Sequence, residues 1–201
     1  MQAAIIALAA YLLGSISFAI VVSRLLALPD PRSYGSKNPG ATNVLRSGSR
    51  LAAALTLAGD TLKGALAVWL ATLYTGQAAV AGLDAPLAGA CAFLGHLFPV
   101  YHGFKGGKGV ATAAGVLLAL DPWLGLGALA TFAVMLAFFR MASLASIVGA
   151  VFAPCYAFWL FGLRPVTPAV LAMALLLIWR HHENIGRIVR GAEPRLWGKK
   201  R

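Results

Sequence analysis

The chain has 201 residues, of which 60% are hydrophobic and 11% charged, and a formal net charge of +11; its mean hydropathy is +0.79. That composition excludes an ordinary soluble core and points to a polytopic helical membrane protein. The positive charge does not point to nucleic acid, because Lys and Arg fall between or at the ends of apolar runs, where they suit an anionic membrane face.

In chain order the apolar runs predict seven spans, at 2–26, 51–75, 86–101, 109–120, 122–140, 143–162 and 167–187, in one all-α integral membrane domain covering 1–201. Several fall short of the ~20 apolar residues that cross a bilayer, so they must tilt, be buried among neighbours or re-enter. The first run has no basic segment before it and no small-residue cleavage site after it, so it is expected to be retained. Many of the 22 glycines lie inside apolar runs, where they permit close helix packing. Cys91 and Cys155 lie far apart without a CxxC or a Cys/His cluster, which leaves no metal site or disulfide framework and suggests packing residues. The stretch 109–140 is either one long run broken at Asp121-Pro122 or two short helices. The Lys199-Lys200-Arg201 tail reads as a basic anchor.

Seven spans put the basic segments 27–50, 102–108, around Arg140 and 188–201 on one face. Every one of the 17 Lys and Arg residues except Arg164 then lies on or toward it. That face is expected to be cytoplasmic, with the N-terminus outside and the C-terminus inside. Six spans would split the basic segments between the two sides.

Three polar segments meet at that face. In the first, 33–48, Gly35, Gly40 and Gly48 permit tight turns, and Ser36, Asn38, Thr42 and Asn43 supply hydrogen-bonding groups. Arg46 adds a planar fork suited to phosphate. The same residues would also serve a connecting loop with helix caps and lipid-facing arginines. In the second, 95–112, His96 and His102 precede Lys105-Gly106-Gly107-Lys108-Gly109, which runs into an apolar helix. Such a turn can aim N–H groups and a positive helix end at phosphate, or be a flexible positive-inside loop. It is not a nucleotide P-loop, which would need Gly at His102 and Ser or Thr at Gly109. In the third, 180–193, helical spacing puts His181, Asn184 and Ile188 on one stripe and Arg180, Glu183 and Arg187 on the next. A His/Asn pair could then face a pocket braced by charges, or the segment could be an interfacial helix end with snorkelling side chains. Asp60 and Lys63, three apart, read as a neutralising structural pair. Ser143, at the start of the next span, is a further pocket candidate.

Together the stretches GSKNPGATNVLRSG at 35–48, GHLFPVYHGFKGGKGVAT at 95–112 and HHENIGRIVRGAE at 181–193 resemble the bacterial acyl-phosphate:glycerol-3-phosphate acyltransferases of the membrane-embedded Y type. The chain departs from that pattern at His182, where Arg is expected, and at Ser17, where Pro is common. The resemblance implies a seven-helix enzyme of the bacterial inner membrane with its site at the cytoplasmic face. Its substrates would be glycerol 3-phosphate and a long-chain acyl phosphate, and its products lysophosphatidic acid and phosphate. It also implies catalytic roles for Ser36, Arg46, Lys105, Ser143, His181 and Asn184. The Gly106-Gly107-Lys108-Gly109 turn would be the acyl-phosphate loop and Glu193 a further motif residue; by their residue types and places in the polar segments, Asn38, Thr42, Asn43 and His96 are expected to bind substrate as well. A monomer with no metal or cofactor is expected.

The residue types suit that chemistry. An acyl phosphate is already activated, so no covalent nucleophile is needed; cations and donors must hold two mutually repelling anions and stabilise developing charge. The HxxxxD dyad of soluble-type lipid acyltransferases is absent, since Tyr101, Gly107, Gly186 and Arg187 stand five beyond the four histidines. A rival reading, an organophosphate transporter or channel, would need polar residues along a path through the membrane rather than gathered at one face.

Overall fold

The computed structural model describes residues 1–196, and the regular elements over that range are all helices. The expected basic tail at Lys199-Lys200-Arg201 lies outside the described residues. The helices are α1 (Gln2–Gly14), α2 (Phe18–Leu25), α3 (Ala41–Val44), α4 (Arg50–Thr75), α5 (Asp84–Leu97), α6 (Val110–Leu120), α7 (Pro122–Phe139), α8 (Ala142–Phe161), α9 (Val166–Arg180) and α10 (His182–Val189).

Four stretches are long and apolar enough to cross a membrane: Gln2–Leu25, Arg50–Thr75, Pro122–Phe139 and Ala142–Phe161. The apolar helices α6 and α9 are shorter. The first expected span is broken rather than continuous. Ser15 turns its hydroxyl onto Tyr11 O (2.9 Å) and Ser17 is extended, so α1 and α2 are separate helices even without a proline at position 17. The expected span 167–187 is likewise cut at His181, where α9 ends and α10 begins. At 109–140 the chain forms two helices. Asp121 leaves helical geometry (φ −160°, ψ 129°) and caps α7 by accepting from Trp123 N and Leu124 N at 2.9 and 3.0 Å, with Pro122 fitting the first position.

The main core joins α1, α4, α5, α6, α8 and α9 around Phe93, Leu97, Val116 and Val170, with Leu124 of α7. At two crossings both helices carry glycine. A Cβ at Gly64 would run into the Thr112 carbonyl and one at Gly115 into the Thr61 carbonyl, which locks α4 against α6. Gly14 and Gly95 do the same for α1 and α5. A smaller cluster of Ala19, Val22, Val44, Ala52 and Ala53 seats the loop 26–49 on α2 and α4. The cysteines are not both packing residues. Cys91 is half-buried, but Cys155 is exposed on α8, its thiol engaged only with Val151 O at 3.6 Å.

Candidate active site

The first polar segment is a built loop, not a slack connection. Asn43 is buried beneath it and uses its amide on backbone: Oδ1 accepts from Ser36 N at 2.9 Å, and Nδ2 donates to Pro31 O at 2.7 Å and Tyr34 O at 3.2 Å. Asn43 therefore shapes the wall. Gly35, at φ +59°, lies over it because a Cβ there would strike Asn43 Oδ1. The clamp leaves Ser36, Asn38, Thr42 and Arg46 at the edge of a cavity of about 1110 Å³. Arg46 is exposed and has no acidic partner among the described residues, so its guanidinium fork is available to an anion.

In the second segment the expected roles of two residues change. Gly106 N and Gly107 N donate to Leu97 O (3.2 Å) and His96 O (3.1 Å), so these amides close the turn instead of facing a ligand. Arg180 braces the turn from the other side, donating to Gly106 O at 2.9 Å and Gly107 O at 3.3 Å. The tight turn leaves Lys105 exposed on its outer face, away from the cavity, while Lys108 emerges on the inner side. Gly106, Lys108, Gly109 and the first residues of α6, Val110 and Ala111, line the cavity, which places the positive end of α6 at its wall. Gly107 does not line it. His96 does, and His102 does not.

The third segment closes the mouth. Lys108 Nζ donates to Asn184 Oδ1, and Asn184 Nδ2 donates to Glu193 Oε1 at 2.5 Å. Glu193 also accepts from Ser143 Oγ at 2.6 Å and from Arg187 Nε at 2.7 Å. Burial opposes ionisation of Glu193, but hydrogen bonds from Ser143, Asn184 and Arg187 outweigh it and hold the carboxyl below its usual range. The buried carboxylate thus ties the start of α8 to α10, and Leu196 N on Arg140 O (2.8 Å) extends the strap. Burial pushes the Lys108 ammonium below the usual lysine range, and the neighbouring Arg187 adds to the effect. His182, the departure from the expected Arg, is exposed and spends Nδ1 on Trp179 O at 3.0 Å.

His181 lies beyond the end of α9 and lines the cavity. Its Nδ1 is 2.8 Å from Leu177 O; a carbonyl can only accept, so Nδ1 carries the proton and Nε2 is a lone pair. Burial, outweighing that hydrogen bond, pushes its pKa down to about 4. The folded value is thus depressed from 6.5. Between these values the unfolded chain binds more protons, so His181 weakens the fold as pH falls through this window and leaves it untouched above. Thermal unfolding midpoints should drop across that window, and His181→Gln should flatten the drop; an unchanged slope in the variant would contradict a buried neutral His181.

The cavity continues inward from this cationic mouth. Its inner walls are Leu117 and Leu118 of α6, Leu129 and Phe132 of α7, Gly149, Ala150 and Ala153 of α8, and Val170 and Met173 of α9. From Ser143 to Ala153 the slot follows α8 for about 15 Å.

The family described as Glycerol-3-phosphate acyltransferase matches residues 4–191. Proteins named glycerol-3-phosphate acyltransferase from Ralstonia nicotianae and Burkholderia pseudomallei are each 57% identical, the first over 98% of this chain and 95% of its own length, the second over 100% and 98%. The fold is also that of a crystal structure of PlsY (YgiH), an integral membrane glycerol 3-phosphate acyltransferase. Its glycerol 3-phosphate form matches with a TM-score of 0.91 and 36% identity over 98% of this chain and 96% of that one. Its lysophosphatidic acid form matches with a TM-score of 0.88 and 35% identity over 97% and 95%. The chain belongs to the glycerol-3-phosphate acyltransferase family.

Proposed function

We propose that this enzyme transfers the acyl group of a long-chain acyl phosphate to the sn-1 hydroxyl of glycerol 3-phosphate, giving 1-acyl-glycerol 3-phosphate and inorganic phosphate, the first acylation of bacterial phospholipid synthesis. The observation that carries this reading is the continuity of the cavity, whose cationic mouth opens directly into an apolar slot. Two phosphates and an acyl chain need those two environments joined at the reacting carbonyl. The glycerol 3-phosphate and lysophosphatidic acid forms of PlsY supply substrate and product in a relative of the same fold.

Arg46 and Lys108 hold the phosphates and offset their repulsion, and Ser36, Asn38 and Thr42 offer hydroxyl and amide partners at the same edge. The glycerol hydroxyl oxygen attacks the carbonyl carbon, the ester C–O bond forms, and the bond from that carbon to the phosphate oxygen breaks. The hydroxyl proton passes to a phosphate oxygen, so phosphate departs with the electron pair and the proton. Neutral His181 orients the hydroxyl through its Nε2 lone pair. Ser143 and Asn184, held by Glu193, complete the mouth.

The chain forms one domain that works as a monomer in the inner membrane. It crosses seven times, with the N-terminus outside and the mouth in the cytoplasm, a topology supported by the basic segments gathering on one side. Single cysteines at Ser36, Ala78 and Arg195, in a background with Cys91 and Cys155 replaced, test it. Ser36→Cys and Arg195→Cys should label from the cytoplasmic side and Ala78→Cys from outside; labelling of positions 36 and 195 from opposite sides would mean six crossings. Activity is tested by phosphate release from palmitoyl phosphate in lipid, with and without glycerol 3-phosphate. Release that needs both substrates supports the reading, and no release from folded protein would direct attention to glycerol 3-phosphate transport in sealed vesicles.

A further inference from the structure

Ten residues into α4, about 15 Å from its start, the side chains of Asp60 and Lys63 are buried together at 3% and 2% exposure, the ammonium 2.9 Å from Asp60 Oδ1. Burying two charges at that depth is costly, and such pairs generally mark function. Lys63 serves the scaffold, since its ammonium donates at 2.6 Å to Ile16 O, in the break between α1 and α2. Asp60 has a different set of neighbours. Its Oδ1 is off the line for a full hydrogen bond from Lys63 and stands 3.6 Å from His96 Nδ1.

Thr112 settles which nitrogen of His96 carries the proton. Its hydroxyl donates to Asp60 O at 2.9 Å, so at its 3.0 Å contact with His96 Nδ1 it must accept. Nδ1–H therefore points at Thr112 and the Asp60 carboxylate. The opposite edge of the ring packs on Gly107, where a Cβ would collide with Nε2 and lie 3.1 Å from Pro39 O of the first loop. The His96 carbonyl meanwhile holds Gly107 N.

We propose that Asp60 is a positioning residue for acyl transfer. Through His96 it fixes the turn that carries Lys108 against the loop that carries Arg46, so that the two phosphate-holding segments keep one separation. This inference rests on the acyl-transfer reading above. Carboxylate and imidazole, 36 residues apart and on different helices, form a linkage that no sequence motif contains.

The test compares Asp60→Asn with Asp60→Asn/Lys63→Met in lipid, measuring thermal midpoint, kcat and KM. The double variant leaves no unpaired buried charge and should recover much of the midpoint that the single variant loses, short of the Lys63 bond to Ile16 O. Its kcat should nevertheless stay roughly 10- to 100-fold down, as in the single variant, with smaller changes in KM for either substrate. Nitrogen NMR of His96 should show the Nδ1–H form in the wild type and a mixture of forms in both variants. A double variant with wild-type kcat, or an unchanged His96 signal, would overturn the proposal. A wild-type protein that releases no phosphate would instead count against the acyl-transfer reading, leaving the His96 signal to decide the linkage alone.

Discussion

Lys108→Met is expected to lower glycerol 3-phosphate-dependent phosphate release by roughly 10²- to 10³-fold, the scale of losing one preorganised charge-stabilising donor. Lys105→Met should stay within about threefold of wild type, because exposed charges contribute little. The two lysines lie in one Gly-Lys-rich turn, but only Lys108 reaches the cavity, where it bonds Asn184 at the wall formed by the start of α6. Its ammonium is already partly desolvated, so substrate binding removes little further water from it. Equal losses in both variants would mean that the turn opens in the working enzyme. Rates measured across the pH range should show the alkaline limb earlier than an ordinary lysine would give, since burial lowers the Lys108 value.

Arg46→Ala should cost about 10²-fold in kcat/KM, the loss of a charge-assisted pair of hydrogen bonds to phosphate. Arg46→Lys should not rescue it, because an ammonium cannot reproduce the planar fork. No acid among the described residues competes for this guanidinium, and Asn43 and Gly35 beneath it hold the loop whether or not substrate is bound. The thermal midpoint should therefore barely move. A variant that keeps full turnover would remove Arg46 from the site and weaken the case for a phosphate at this edge.

The polar segments were legible in the sequence because glycine, lysine and hydroxyl residues are out of place between apolar runs. Ser36, Arg46, His181, Asn184 and Ser143 do gather at one cavity. The choice between Lys105 and Lys108 was not legible, because it depends on Gly106 and Gly107 turning their amides back onto α5. Nor was the inward role of Asn43, whose residue type serves a ligand and a loop backbone equally well. The break at 15–17 interrupts a run whose hydropathy is unbroken, and there Lys63 of α4 meets Ile16 O; the break at His181 falls where the polar segment 180–193 begins. Asp60 and Lys63 did read as a pair from their spacing, but the link onward to His96 and Thr112 crosses three helices and leaves no local pattern.

The glycine contacts at the crossing of α4 and α6 set a distance as well as a fit. Gly64 lets the Thr112 backbone rest against α4, and only at that separation can the Thr112 hydroxyl reach Asp60 O, one turn away. A methyl group at Gly64 would act as a spacer, parting the helices at their crossing. The hydroxyl contact would then fail before any residue at the mouth had changed, so the tolerance of this enzyme to change in its apolar interior is set by how closely two backbones lie.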